Sequence, residues 1–189
     1  MKTSILIQTE PTVEPVSVDE FKTFARIDND DEETAISNLL VATRQATEKY
    51  LGRALLEQTI YYNLDEWEER RIELPYPSLL SVTGVYLRNE DGTFTEYDSD
   101  NYYVVSDGIP GSIVIKTGST MPDNTDAEYA KYQIRYKAGY GDEASDVPDA
   151  IKQAILVWAN NGYANRVISP EPPIEVRQAL SLYRVERLK

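Results

Sequence analysis

The run from Asp28 to Gly52, DNDDEETAISNLLVATRQATEKYLG, constrains the fold more than any other stretch of this chain. It opens on Asp28, Asp30, Asp31 and Glu32. Asp30 or Asp31 stands where an N-cap belongs, and acids suit the positive end of a helix dipole. Gly52 stands where a helix stops, because glycine adopts the left-handed C′ conformation at little cost. Two ridges at helical spacing run between these signals. One is Ile36, Leu40, Thr43, Thr47 and Leu51; the other is Ala35, Leu39, Ala42, Ala46 and Tyr50. The spacing predicts a helix over residues 31–51. Its second ridge is mostly alanine, which lets another helix approach closely. A face this broad needs cover on two sides, from elsewhere in the chain or from a neighbouring subunit.

Composition decides how much cover the chain can supply. With 189 residues, 41% of them apolar and 27% charged, a globular core is within reach. No window approaches the roughly 20 apolar residues that cross a bilayer. The Ile5-Leu6-Ile7 patch is shorter than the apolar region of a signal peptide, roughly 7–15 residues, so the chain reads as unsecreted by its own signal. The absence of Cys and His removes disulfides, thiol nucleophiles, imidazole bases and the usual zinc ligands. A net charge of −13 argues against a free-standing nucleic-acid binder. The segment Ile174–Lys189 departs from that balance, with four basic residues against two acidic ones.

The rest of the chain reads as helices flanking a β region. Residues 1–16, with Pro11 and Pro15, predict an extended N-terminal arm. Ser17-x-x-Glu20 is a capping box opening a helix over 17–25, with Val18, Phe21 and Phe24 on one side. The period then changes. Thr59–Leu64, Ile72–Leu74, Ser81–Arg88, Phe94–Tyr97, Tyr102–Val105 and Ile113–Ile115 read as strands separated by turn residues such as Asp91-Gly92. The clearest strand sets Tyr132, Ile134, Tyr136 and Ala138 against Lys131, Gln133, Arg135 and Lys137. After Pro148 a helix over 148–163 is apolar around most of its circumference, with Ile151, Ala154, Ile155, Val157 and Trp158. It is the expected partner of the 31–51 helix. Ser169-Pro-Glu-Pro-Pro173 is a stiff linker before a short helix over 174–186.

The expected fold class is therefore α+β: a small helical bundle carrying an inserted antiparallel β unit over about residues 57–138. Residues 17–56 and 139–168 would form the helical core, and 169–189 the linker and terminal helix.

Catalytic and metal motifs do not assemble. The acids from Asp28 onward lack the Gly and Glu of a calcium loop, having Glu33 and Leu39 at those positions; helix capping accounts for them. Gly139 and Gly141 lack the third glycine and the Lys-Ser/Thr pair of a phosphate loop. Asp65/Glu66 and Glu68/Glu69 are pairs expected by chance among 32 acids. No cofactor or metal is expected. Fourteen tyrosines favour an interaction protein, since the ring buries area and the hydroxyl stays polar. The Lys131/Arg135/Lys137 stripe reads as a solvated face, with a docking strip for an acidic partner as the alternative.

Taken in order, PVSVDEFKTFARIDNDDEETAISNLLVATRQATEKYLGRALLEQT, Leu74-Pro75, Ser78-Leu-Leu-Ser-Val82, YKAGYGD and DVPDAIKQAILVWANNGYANR resemble the phage head–tail connector (neck adaptor) family. The likeness runs from about Pro15 to Arg166, and it is to the subgroup with a β insertion between the second and third helices. It implies a structural protein rather than an enzyme, located in the virion neck after synthesis in the host cytoplasm. Family members form a ring, typically dodecameric, under the portal protein. The ring extends the DNA channel, without specific DNA binding or membrane contact, and docks the next neck (stopper) or tail protein. Carried over, the resemblance implies portal docking by Ile174, Leu180, Tyr183, Arg184 and Arg187. Ala35, Ile36, Leu39, Leu40, Ala42, Ala46, Tyr50 and Trp158 are expected in helix packing and, in part, at a subunit interface. The alternative readings are a carbohydrate-binding or cell-wall-hydrolysing module of a phage tail that uses the Tyr-rich β unit, with glycan binding lost on mutating Trp67 or exposed tyrosines, or another virion completion protein.

Overall fold

The alternation at Tyr132–Ala138 has a direct structural consequence: one side of that strand is apolar, so it can sit at the centre of a sheet with one face buried. The computed structural model describes residues 3–123 and 127–185. The chain divides into two compact units, residues 1–10 with 57–139, and residues 11–56 with 140–189. With helices and antiparallel sheets together, the fold is α+β.

In the first unit the strands are β1 (Thr3–Thr9), β2 (Gln58–Leu64), β3 (Arg71–Glu73), β4 (Leu79–Arg88), β5 (Phe94–Tyr97), β6 (Tyr102–Val105), β7 (Ser112–Ile115) and β8 (Tyr132–Ala138). They form a five-stranded sheet in the order β1-β2-β8-β4-β5 and a three-stranded sheet in the order β3-β7-β6. In β8 the apolar set Tyr132, Ile134, Tyr136 and Ala138 is buried, as its period requires. Ile60, Leu64 and Val85 are buried beside it, and Ile72, Ile113 and Ile115 are buried in the smaller sheet. The sheets meet where Tyr97 of β5 stacks on Tyr102 of β6 at 6.2 Å. Residues 3–9 are not a free arm. They pair with β2 along its length, Ile5 opposite Tyr62 and Leu6 opposite Tyr61. This edge strand is exposed along its whole length, Ile5, Leu6 and Ile7 included.

In the second unit the helices are α1 (Val18–Ala25), α2 (Glu33–Leu51), α3 (Asp149–Asn165) and α4 (Ile174–Leu180). Both halves of the capping box at Ser17 and Glu20 are formed. Phe21 is fully buried, whereas Phe24 is exposed. Gly52 closes α2 in the left-handed conformation at φ 68°, its N–H donating to the Glu48 carbonyl. The start of α2 differs from expectation. Glu32 is the N-cap and accepts no capping bond, and neither Asp30 nor Asp31 fills that place. Instead these acids fasten neighbouring elements: Lys22 of α1 pairs with Asp30 and Glu33, while Glu32 takes the Tyr163 hydroxyl and the Arg166 guanidinium.

α2 and α3 pack together, α3 in turn packs on α4, and the core between them holds Ile36, Leu40, Leu51, Ile151, Ile155, Trp158, Val176 and Leu180. The predicted helix over 174–186 ends earlier. A 3₁₀ turn over Ser181–Tyr183 follows α4, and Arg184 is extended.

Candidate docking surfaces

The sequence contains neither His nor Cys, and the geometry of interest is which residues each element leaves outward. Among the described residues, no group of three acids is placed to hold a metal ion, and no helix is long and apolar enough to cross a membrane.

The ridges of α2 separate sharply. Ile36, Leu40, Thr43, Thr47 and Leu51 are all buried. Ala35 is exposed, and Leu39, Ala42, Ala46 and Tyr50 are half-buried. The alanine ridge is thus the partly open side of the helix, and the branched ridge is the core side. Leu39 packs toward Gly162 of α3, where an added Cβ would lie 3.2 Å from the Leu39 Cδ1. Tyr50 is overlain by Arg184, whose guanidinium carbon lies 5.2 Å from the ring centroid. Trp158 is fully enclosed and belongs to the core alone.

One buried polar cluster holds α2 in place. Arg44 is 2% exposed in its side chain; its Nε donates to both Glu14 oxygens at 2.9 and 3.1 Å, and its Nη1 to Glu48 Oε2 at 2.9 Å. The other Glu48 oxygen accepts the Leu55 N–H at 2.9 Å. Burial pushes the Glu48 carboxyl above its ordinary range, and the Leu55 N–H and the Arg44 charge only partly offset this. Nothing in the helical pattern marks this cluster, because Arg44 and Glu48 also read as an ordinary surface pair one turn apart.

The residues expected to dock at the C-terminal end scatter. Leu180 is fully buried and Val176 nearly so, because α4 packs its apolar side on the helical core. Tyr183 is half-buried against that core, Ile174 is 68% exposed, and Arg184 is exposed. Arg187 lies outside the described residues. The Pro-rich stretch therefore does not release α4 as a free arm; the Val185 N–H also bonds to the Leu51 carbonyl at 2.9 Å. Sequence reasoning missed Leu182, 91% exposed, a large apolar side chain just past α4. Trp67 is buried and meets Tyr132 edge-on at 5.7 Å, whereas Tyr103 and Tyr129 of the β unit are exposed.

The outer face of the five-stranded sheet carries a second concentration of interaction chemistry. Arg135 of β8 lies between Tyr61 of β2 and Gly84 of β4. Its guanidinium carbon is 4.0 Å from the Tyr86 ring centroid, 4.9 Å from that of Tyr61 and 5.3 Å from that of Phe94. Lys137 on the same face pairs with Glu57 at 2.6 Å.

Known proteins share this architecture. The profile of the Head completion protein (HCP) family matches residues 14–164. No curated protein sequence is significantly similar to the chain. Among solved structures, the fold matches a chain in the neck of an empty GTA particle computed with C6 symmetry. There the TM-score is 0.83 and identity 20%, over 98% of this chain and 97% of that one. A chain in the virion of a native gene transfer agent (GTA) particle matches with TM-score 0.81 and 20% identity, over 98% and 97% of the two chains. A chain in the neck of the native GTA particle computed with C12 symmetry matches with TM-score 0.75 and 19% identity, covering 97% of each. The family match takes in α1, the whole β region after β1, and nearly all of α3, and on that extent the chain belongs to the head completion protein family.

Proposed function

We propose that this chain is a head–tail connector of a phage-like particle, a structural protein that joins a ring in the neck and acts by assembly. The observation that carries the reading is the family match over residues 14–164. The near-complete fold likeness to a neck chain, at TM-score 0.83, supports it. The ring would sit under the portal protein, extend the DNA channel and offer its far side to the next neck or tail protein. A chain of net charge −13 suits a channel wall, since it presents few cations to exchange for DNA counterions. The half-open ridge of α2, with Ala35, Ala42 and Ala46, suits close approach by a neighbouring subunit.

Portal docking falls to the exposed side chains around α4: Ile174, Leu182 and Arg184. Leu180 and Tyr183 act in this proposal by holding that surface on the core. The test is retention of the chain on purified portal rings. Ile174→Asp and Leu182→Asp together should abolish retention while leaving the circular dichroism spectrum and thermal midpoint unchanged. Retention of that double variant at the wild-type level would refute the docking assignment. Absence of the wild-type protein from particle necks by electron microscopy would refute the connector reading itself.

A further inference from the structure

We infer that the outer face of the five-stranded sheet, centred on Arg135, is the contact through which one copy of this chain grips an acidic surface of the next copy in the ring. The inference rests on the ring reading above.

The face is built around a cation. Tyr61 and Gly84 stand opposite Arg135 on its two neighbouring strands, and Leu6 stands opposite Tyr61 on the edge strand. Gly84 lacks the side chain that would fill the position beside Arg135. The Tyr86 ring lies over that gap, its hydroxyl oxygen 2.9 Å from where a Cβ would stand. The flattened ring brings its face to 4.0 Å from the guanidinium carbon. Tyr61 and Phe94 approach the same group from the flanks. Arg135 Nε donates to Gln133 Oε1 at 2.6 Å. A guanidinium packed on rings and fixed at Nε keeps its terminal N–H groups in one plane, the geometry that binds a carboxylate through two parallel bonds.

Among the described residues, no acid lies within ion-pair distance of Arg135, although the chain has 32 acids and 19 basic residues. Arg88, Arg135 and Lys137 share the face with Glu96 of β5 and with Glu57, which pairs with Lys137. The rest of the chain is correspondingly more acidic than its total charge. Such a face cannot pair with itself. It complements the other surfaces of an identical copy, and a contact between two unlike surfaces of identical subunits is the kind that closes rings. Leu6, 51% exposed, extends the row with apolar area, and Tyr and Arg are the residue types that dominate interface energetics.

The experiment mixes ¹⁵N-labelled and unlabelled full-length chains in neck rings and treats them with a zero-length carbodiimide, which joins Lys to Asp or Glu. Mixed-isotope crosslinks from Lys137 or Lys131 to an acid of another copy are expected. Arg135→Glu should lower ring yield by about tenfold or more. Arg135→Lys, which keeps the charge but loses the planar fork, should give an intermediate yield. Both variants are checked as monomers by thermal unfolding. If a variant fails to fold, Tyr86→Leu in its place should still weaken the rings. Rings of Arg135→Glu at wild-type yield, or Lys137 crosslinks confined to Glu57 of its own chain, overturn this inference and leave the connector reading standing. A wild-type chain that enters no ring overturns both. Retention of duplex DNA by the wild-type chain but not by Arg135→Glu would assign the arginine to phosphate and overturn the carboxylate contact.

Discussion

Arg44 Nη1 and Glu48 Oε2 lie 2.9 Å apart, one turn apart on α2, and both side chains are almost wholly buried. On a solvated helix such a pair is worth a few tenths of a kcal/mol. Here Glu14 and the Leu55 N–H complete it, so it ties the segments before and after α2 to the middle of that helix. Replacing Arg44 by Met leaves Glu48 buried without its cation. The expected loss is about 3–5 kcal/mol, read as a lower urea midpoint at neutral pH. A midpoint within error of wild type would show that the cluster contributes nothing.

The same pair predicts a pH dependence. Burial raises the folded-state value of the Glu48 carboxyl, so the native state holds its proton at a pH where the unfolded chain has released it. Its contribution is fully present below the ordinary glutamate range and is lost as pH rises through the raised folded value. Glu48→Gln, which resembles the protonated form, should therefore gain stability relative to wild type as the pH is raised from about 4 to 8. Parallel stability–pH curves for the two proteins would contradict this.

The two ridges of α2 should respond differently to truncation. Leu40→Ala should cost about 2–5 kcal/mol, because Leu40 is 2% exposed in the core. Leu39→Ala should cost less, because Leu39 is only half-buried, and its effect should appear in ring assembly instead. Equal losses in the isolated chain would place both residues in the core.

In the β unit, Gly111→Ala should be strongly unfavourable. A Cβ there would stand 2.7 Å from the Leu79 Cβ and 3.2 Å from the Val105 carbonyl oxygen, neither of which can swing away. A loss of about 1–3 kcal/mol is expected from overpacking of this kind, measured by thermal unfolding. An unchanged midpoint would show that β4 and the β6–β7 turn can separate.

Removing residues 174–189 should destabilise the helical unit rather than trim a free arm, since Val176 and Leu180 are buried in its core. Limited proteolysis would reveal it as faster cleavage in α2 or α3. Unchanged protection would return α4 to the status of an independent docking element.

Most of the elements were legible in the chain because their signals are local. The Ser17–Glu20 capping box, Gly52 at the end of α2, the alternation of β8 and the apolar run of α3 each need only a few neighbouring residues to be read, and together they imply an α+β fold with helices flanking a β region. Tertiary structure decided what depends on partners distant in sequence. Residues 3–9 became a strand because the distant β2 edge was there to pair with, Thr9 opposite Thr59 and Thr3 opposite Leu64. The acids before α2 became ties to Lys22, Tyr163 and Arg166 rather than caps. Arg44 and Glu48 were buried by segments on either side of their helix. The Tyr61–Arg135–Tyr86 row exists only once β2, β8 and β4 lie side by side, since strand pairing, not spacing along the chain, sets which side chains share a face.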